Sequence, residues 1–196
     1  MRKKFMNLPN KITLIRVCFI PIILLFLLCK NIPNRYFVAL IFFLAASYTD
    51  YLDGYLARKS GLITNFGKFL DPLADKILII SILVCFVELG LVYAIAVILI
   101  IFREFMVTSL RLIAAERGKI IPANCYGKIK TISQMLSIFL IMLSQGLQEI
   151  LLRYNLLGHI CIDFITKISN IIFYISAILT VFSGVLYIYF NKNYIK

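Results

Sequence analysis

The chain has 196 residues, 62% of them hydrophobic and 15% charged, with a mean hydropathy of +0.95. A soluble domain is nearer half apolar, so the composition excludes an ordinary soluble enzyme and predicts one membrane-embedded helical domain over residues 1–196. The net charge of +12 lies in segments flanking the apolar runs, which fits anionic lipid or phosphorylated substrates and argues against nucleic acid as a partner.

Residues 1–10 are basic and carry Pro9; Arg2, Lys3 and Lys4 precede Phe5, Met6 and Leu8, the pattern of a short interfacial segment on an anionic surface. Asn10 suits the N-cap of a helix beginning at Lys11. The apolar run that follows is too long for a signal peptide, contains Pro21 and precedes no small-residue cleavage site. It is expected to remain as a first span, about 12–29, kinked at Pro21. Residues 30–35 read as a turn. A second span runs from about Tyr36 and carries Asp50, Asp53 and Arg58 at its far end. A polar bend covers residues 59–65. The third span starts between Asn65 and Leu70 and runs to about Val87; Pro72 either sits in its first turn or kinks it.

Residues 88–90 form a tight turn. The fourth span, 91–116, is interrupted by Arg103 and Glu104. A basic connection, 117–130, contains Gly118, Pro122 and Gly127. The fifth span covers about 129–147, an amphipathic stretch follows over 148–163, and the sixth span covers 168–190. The apolar runs are long and show no period-2 alternation, which favours helices over a β-barrel. The expected fold is an all-α polytopic membrane protein, a bundle of six transmembrane helices with a short N-terminal interfacial segment. Sixteen Phe and eleven Tyr suit its lipid-facing surface and interfacial belts. Cys18, Cys29, Cys85, Cys125 and Cys161 show no C-x-x-C spacing and read as small hydrophobes.

With the amino terminus inside, the Lys and Arg of residues 2–16, 58–76, 111–130 and 192–196 fall inside. Outside segments then hold only Lys30, Arg35, Arg153 and Lys167. The positive-inside rule therefore predicts a multi-pass protein of the cell (inner, cytoplasmic) membrane, with both termini and the aspartates facing the cytoplasm.

The chemistry concentrates between residues 50 and 75, in the pattern D-x-x-D-G-x-x-A-R-x8-G-x-x-x-D-x-x-x-D. Asp50 and Asp53 are three apart, Asp71 and Asp75 four apart, so each pair shares a helix face. Two antiparallel helices joined by the polar bend would gather four carboxylates, whose repulsion divalent cations would relieve. Carboxylate oxygens suit hard ions such as Mg²⁺, Mn²⁺ or Ca²⁺. Gly54 and Ala57 serve either a flat group lying close to the backbone or close helix packing. Arg58 offers a fork to phosphate oxygens and Thr64 a hydroxyl. Together these residues describe a diphosphate site.

A second basic cluster lies further on. Glu104, Thr108 and Arg111 share one helical face, with Arg103 one position round. Arg103 is too deep in its span to be a membrane anchor and calls for a partner; Glu104, the next residue, is not expected to face it. Lys128 and Thr131 share a face, with Lys130 beside them. The phosphate of an acceptor substrate would account for Arg111 and Lys128. His159, the only histidine, falls in an outside segment away from the aspartates. An aspartate is therefore the expected general base, since crowding raises a carboxylate's pKa.

The pattern from Asp50 to Asp75 resembles, without departure, the signature of the CDP-alcohol phosphatidyltransferase family. The resemblance implies six transmembrane helices, commonly a homodimer, and a two-metal site (Mg²⁺ or Mn²⁺) open to the cytoplasm. It implies transfer of a phosphatidyl group from CDP-diacylglycerol to an alcohol, with release of CMP. By position, Asp50, Asp53, Asp71 and Asp75 correspond to metal ligands and Asp75 also to the base. Asp53, Gly54, Ala57, Arg58 and Thr64 correspond to donor contacts. The runs 7–16, 103–105, 110–111 and 127–131 with Gln134 resemble family members that act on sn-glycerol 3-phosphate and form phosphatidylglycerophosphate. Residues 36–90 would then carry the metal and donor site. Residues 91–147 would carry the acceptor side, with Arg103, Arg111, Lys128 and Lys130 as phosphate contacts. Other readings are transfer to serine, inositol phosphate or phosphatidylglycerol, an aspartate- and magnesium-dependent prenyltransferase, and a cation transporter. The last would place its carboxylates near the bilayer midplane rather than at span ends.

Overall fold

The computed structural model describes the backbone of residues 8–60, 65–116, 125–154 and 159–191, and the side chains of 13–49, 73–114, 127–154 and 163–190. Among the described residues the regular structure is entirely α-helical: α1 (Leu8–Leu28), α2 (Arg35–Ser60), α3 (Asn65–Glu88), α4 (Ala94–Glu116), α5 (Cys125–Tyr154) and α6 (His159–Asn191). Two stretches, Gly127–Tyr154 and Asp163–Phe190, combine the length and hydropathy needed to cross a membrane, while Thr13–Leu28 and Arg35–Thr49 are apolar but shorter. Ile41, Ile95, Phe102, Ile132 and Ile178 stand exposed, as expected of faces that meet acyl chains. The chain forms two compact units, residues 1–85 and 86–196.

In the first unit α1 begins at Leu8 rather than Lys11. Pro9 thus lies in the first turn, where its missing N–H breaks no intrahelical bond, and Asn10 lies within the helix instead of capping it. Residues 1–7 of the expected interfacial segment are outside the described residues. Thr13, Arg16, Ile20, Ile23 and Leu27 are buried; their alternating spacing of three and four makes one stripe. Arg16, counted among the inside cations, is fully buried. On α2 the buried stripe is Tyr36, Ala39, Leu40, Phe43 and Ala46. The two helices pack as a hairpin, with Phe42 against Phe19 and Phe26 at centroid distances of 5.6 and 6.0 Å.

Asn34, at φ 55°, turns the chain into α2, and its carbonyl accepts from the backbone N–H of Phe37 and Val38 at 3.0 and 3.1 Å. Asparagine tolerates this left-handed conformation better than most residues. Arg35 then reaches back: Nη1 donates to the Leu27 carbonyl at 2.8 Å and Nη2 to Tyr36 Oη at 3.0 Å. A cation there satisfies a carbonyl that the end of α1 leaves free and complements the helix dipole. α3 begins at Asn65, so Pro72 lies inside it, beyond the first turn. Having no N–H, Pro72 leaves the carbonyl four residues earlier without its helical donor.

The turn after α3 is made by Gly90 at φ 70°. Its N–H bonds the Val87 carbonyl at 3.0 Å, and the Leu91 N–H bonds the Phe86 carbonyl at 2.8 Å. This pair of bonds is a Schellman cap, and only glycine takes its positive φ without a Cβ penalty. α4 consequently starts three residues later than the apolar run, at Ala94.

In the second unit α6 packs against both α4 and α5. Three contacts join α4, or the residue just before it, to α6 at sequence separations of 81, 80 and 76: Tyr93 with Tyr174, Arg103 with Ser183, and Arg111 with Tyr187. A near-constant offset means that the two helices run parallel. Between α5 and α6, Ser144 and Ser169 approach to 3.3 Å. Buried Ser137, Ser144, Ser169, Ser176 and Thr180 hydrogen-bond carbonyls of their own helices. Small, self-satisfied hydroxyls let helix backbones approach closely in a membrane-type bundle. The amphipathic stretch 148–163 is mostly helix end, the close of α5 and the start of α6. At ~1.5 Å per residue, α5 and α6 are about 45 and 50 Å long, well beyond a hydrocarbon thickness of ~30 Å.

Candidate active site

The helical backbone of α2 contains Asp50 and Asp53, and that of α3 contains Asp71 and Asp75. Unbroken helix through each pair puts its two positions on one helical face. Asp75 is half-buried, the residue after buried Ala74. The side chains of Asp50, Asp53, Gly54, Ala57, Arg58 and Asp71 lie outside the described residues, as does Thr64 altogether. The described residues contain no group of three or more His, Cys, Asp or Glu able to hold a metal; three of the four aspartates are not among them. The donor set fits a hard divalent cation, being all carboxylate oxygen at helical phase.

The basic side is described in detail. Glu104 Oε1 accepts from Arg103 Nη1 at 2.9 Å and from Lys130 Nζ, joining α4 to α5. Arg103 Nη2 donates to Ser183 Oγ on α6 at 2.7 Å. Arg103 is 8% and Lys130 4% exposed. Two buried cations thus share one carboxylate. The expectation that Glu104 does not face Arg103 is overturned. Adjacent Cα–Cβ bonds do diverge, but the long Arg103 side chain brings its guanidinium round to the carboxylate. Arg111 is more exposed; its Nε donates to Tyr187 Oη at 3.3 Å and its guanidinium carbon lies 5.4 Å from the Tyr187 ring centroid. Thr108 Oγ1 spends its hydrogen bond on the Glu104 carbonyl at 2.7 Å. Lys128 is exposed, and Thr131 bonds the Gly127 carbonyl at 3.0 Å.

Sequence reasoning left the last third of the chain without a role, yet α6 supplies Ser183, Gly184 and Tyr187 to this cluster. A Cβ on Gly184 would fall 2.7 Å from Arg103 Cγ, so the arginine crosses α6 where no side chain stands. The available signal was a Ser-Gly pair in an apolar span with a tyrosine one turn on from the serine.

The profile of the family described as CDP-alcohol phosphatidyltransferase matches residues 6–182. The chain is 40% identical over 199 residues to the CDP-diacylglycerol--glycerol-3-phosphate 3-phosphatidyltransferase of Bacillus subtilis, covering 96% of this chain and 95% of that protein. Proteins of the same name from Rickettsia felis and Haemophilus influenzae are 38% and 36% identical. They cover 96% and 95% of this chain, and 97% and 94% of their own lengths. A match across most of the chain, with similarity that spans both helical units, establishes that this protein belongs to the CDP-alcohol phosphatidyltransferase family.

Proposed function

We propose that the chain transfers the phosphatidyl group of CDP-diacylglycerol to sn-glycerol 3-phosphate, giving phosphatidylglycerophosphate and CMP. The observation that carries this reading is the near full-length similarity to relatives named for that reaction. The two aspartate pairs on α2 and α3 support it, as do the buried cations Arg103 and Lys130 gathered on Glu104.

In this reading Asp50, Asp53, Asp71 and Asp75 hold two divalent cations, Mg²⁺ or Mn²⁺, which when bound neutralise the donor's diphosphate. Asp53, Gly54, Ala57, Arg58 and Thr64 contact the donor. Asp75 removes the proton from the acceptor hydroxyl. The hydroxyl oxygen bonds to the phosphorus that bears diacylglycerol, the bond from that phosphorus to the CMP oxygen breaks, and CMP leaves. Arg111 and Lys128, the more accessible cations, meet the acceptor phosphate directly, and Arg103 and Lys130 supply a held field behind them. Residues 36–90 form the metal and donor side; the acceptor side, residues 91–147, extends to α6. The protein works as a homodimer in the inner membrane, with both termini and the site on the cytoplasmic face.

Purified protein supplied with CDP-diacylglycerol, Mg²⁺ and a panel of alcohols tests this. CMP release is expected with glycerol 3-phosphate and not with serine, inositol phosphate or phosphatidylglycerol. Release with one of those instead would reject the acceptor, and no release with any of them would reject the reaction.

A further inference from the structure

We propose that Ser183 and Gly184 of α6 are positioning residues for Arg103, and that the last helix is thereby part of the acceptor's anion site. The inference rests on the acceptor reading above and adds a helix to it. An arginine side chain has four rotatable bonds and loses much rotamer freedom when held. Here it is held at both guanidinium termini by different helices. Nη1 donates to Glu104 on its own helix at 2.9 Å, and Nη2 donates to Ser183 on α6 at 2.7 Å.

Between those ends the aliphatic stem lies against Gly184, where a Cβ would meet Cγ at 2.7 Å, Nε at 3.6 Å and Cβ at 3.8 Å. The closest of these is the stem near the backbone, not a flexible tip, so any side chain at 184 must displace the arginine. Its displacement disturbs Glu104, and through Glu104 it disturbs Lys130, because both cations bond the same carboxylate oxygen. Nε is buried without a hydrogen-bond partner among the described residues. The network thus fixes the guanidinium in one place, as a preorganised electrostatic element requires.

The test uses full-length protein in lipid nanodiscs with CDP-diacylglycerol and Mg²⁺, and measures both KM values together with thermal unfolding. Gly184→Ala is expected to raise the KM for glycerol 3-phosphate about tenfold. Ser183→Ala should raise it about threefold. The donor KM should stay within about twofold in both, since both substitutions lie on α6 and act on Arg103 directly. Ser183→Thr, which keeps the hydroxyl, should return the acceptor KM to the wild-type value. An unchanged acceptor KM in both Gly184→Ala and Ser183→Ala overturns the proposal. So does a parallel rise of donor and acceptor KM with lost thermal stability, which marks a packing role only. If Gly184→Ala does not fold, the Ser183→Ala and Ser183→Thr pair decides alone. Wild-type protein that turns over a different alcohol rejects the acceptor named above, and the same variants are then read in that alcohol's KM.

Discussion

Along α2 and α3 four aspartates repeat one sign of charge at spacings of three and four residues, whereas on α4, α5 and α6 two cations flank one carboxylate and one of them also meets a hydroxyl. Like charges at helical spacing raise the free energy of the fold unless something of opposite sign arrives. On the proposed reading the acidic segment is a ligand set, to be completed by ions from solution. The basic cluster carries its own counter-ion, Glu104, and its geometry is held by contacts within the chain before any substrate binds. Losing one charge should have different consequences in the two regions: lost chemistry in the first, lost fold and lost acceptor affinity in the second.

The largest effect should come from the acidic segment. Asp50→Asn, Asp53→Asn, Asp71→Asn and Asp75→Asn are each expected to cut kcat by about 10³-fold or more with thermal unfolding unchanged, since charge at the metal, not bulk polarity, is required. Two or more of them near wild-type rate would remove the distinction between the regions.

Glu104→Gln tests the opposite region by the opposite readout. Two buried cations would lose their shared carboxylate, and stability should fall by about 3 kcal/mol. Adding Lys130→Met should recover part of the loss, measured by thermal unfolding of each variant in one detergent. A Glu104→Gln protein of full stability and no activity would show that both regions are ligand sets.

Asp75→Glu sharpens the contrast within the acidic segment. Lengthening the side chain by about one bond should lower kcat on the order of 10²-fold, while metal affinity falls far less. Metal titration beside single-turnover rates separates the two. Proportional losses would make Asp75 a ligand without a proton-transfer role.

The smallest effects belong to the exposed rim of the basic cluster. Arg111→Ala should raise the acceptor KM about tenfold and Lys128→Ala about two- to threefold, because exposed charges are screened and hydrated. Equal donor and acceptor effects would move the phosphate site elsewhere.

What could be read from the residues alone follows the same division. The helices that carry the aspartates are legible because each pair lies within one long, continuous helical run. Helix order and the short turns at 30–35 and 88–90 are legible from the same runs. The basic cluster is only half legible: Arg103 announces a need for a partner, but Ser183 and Gly184 look like ordinary small residues of an apolar span. Their role depends on the parallel packing of α4 and α6, a relation between residues 80 apart. The lengths of α5 and α6 were missed for another reason. Gln148, Glu149 and Arg153 lower local hydropathy, yet at helical spacing they fall on α5, where Glu149 and Arg153 lie 3.9 Å apart. Residual helix period, not average polarity, marks that element.

The separation between Arg103 and Ser183 also bears on how the protein is made. At ~5–20 residues per second, Ser183 leaves the ribosome roughly 4–16 s after Arg103. An isolated arginine within an apolar helix is costly in a bilayer. Glu104 is one position away and bonds the same guanidinium, so that pair needs nothing from a later helix. Lys130 on α5 and Ser183 on α6 join it only once their own helices are made. The order of synthesis therefore predicts a local Arg103–Glu104 pair first, with the ties to α5 and α6 completing it afterwards.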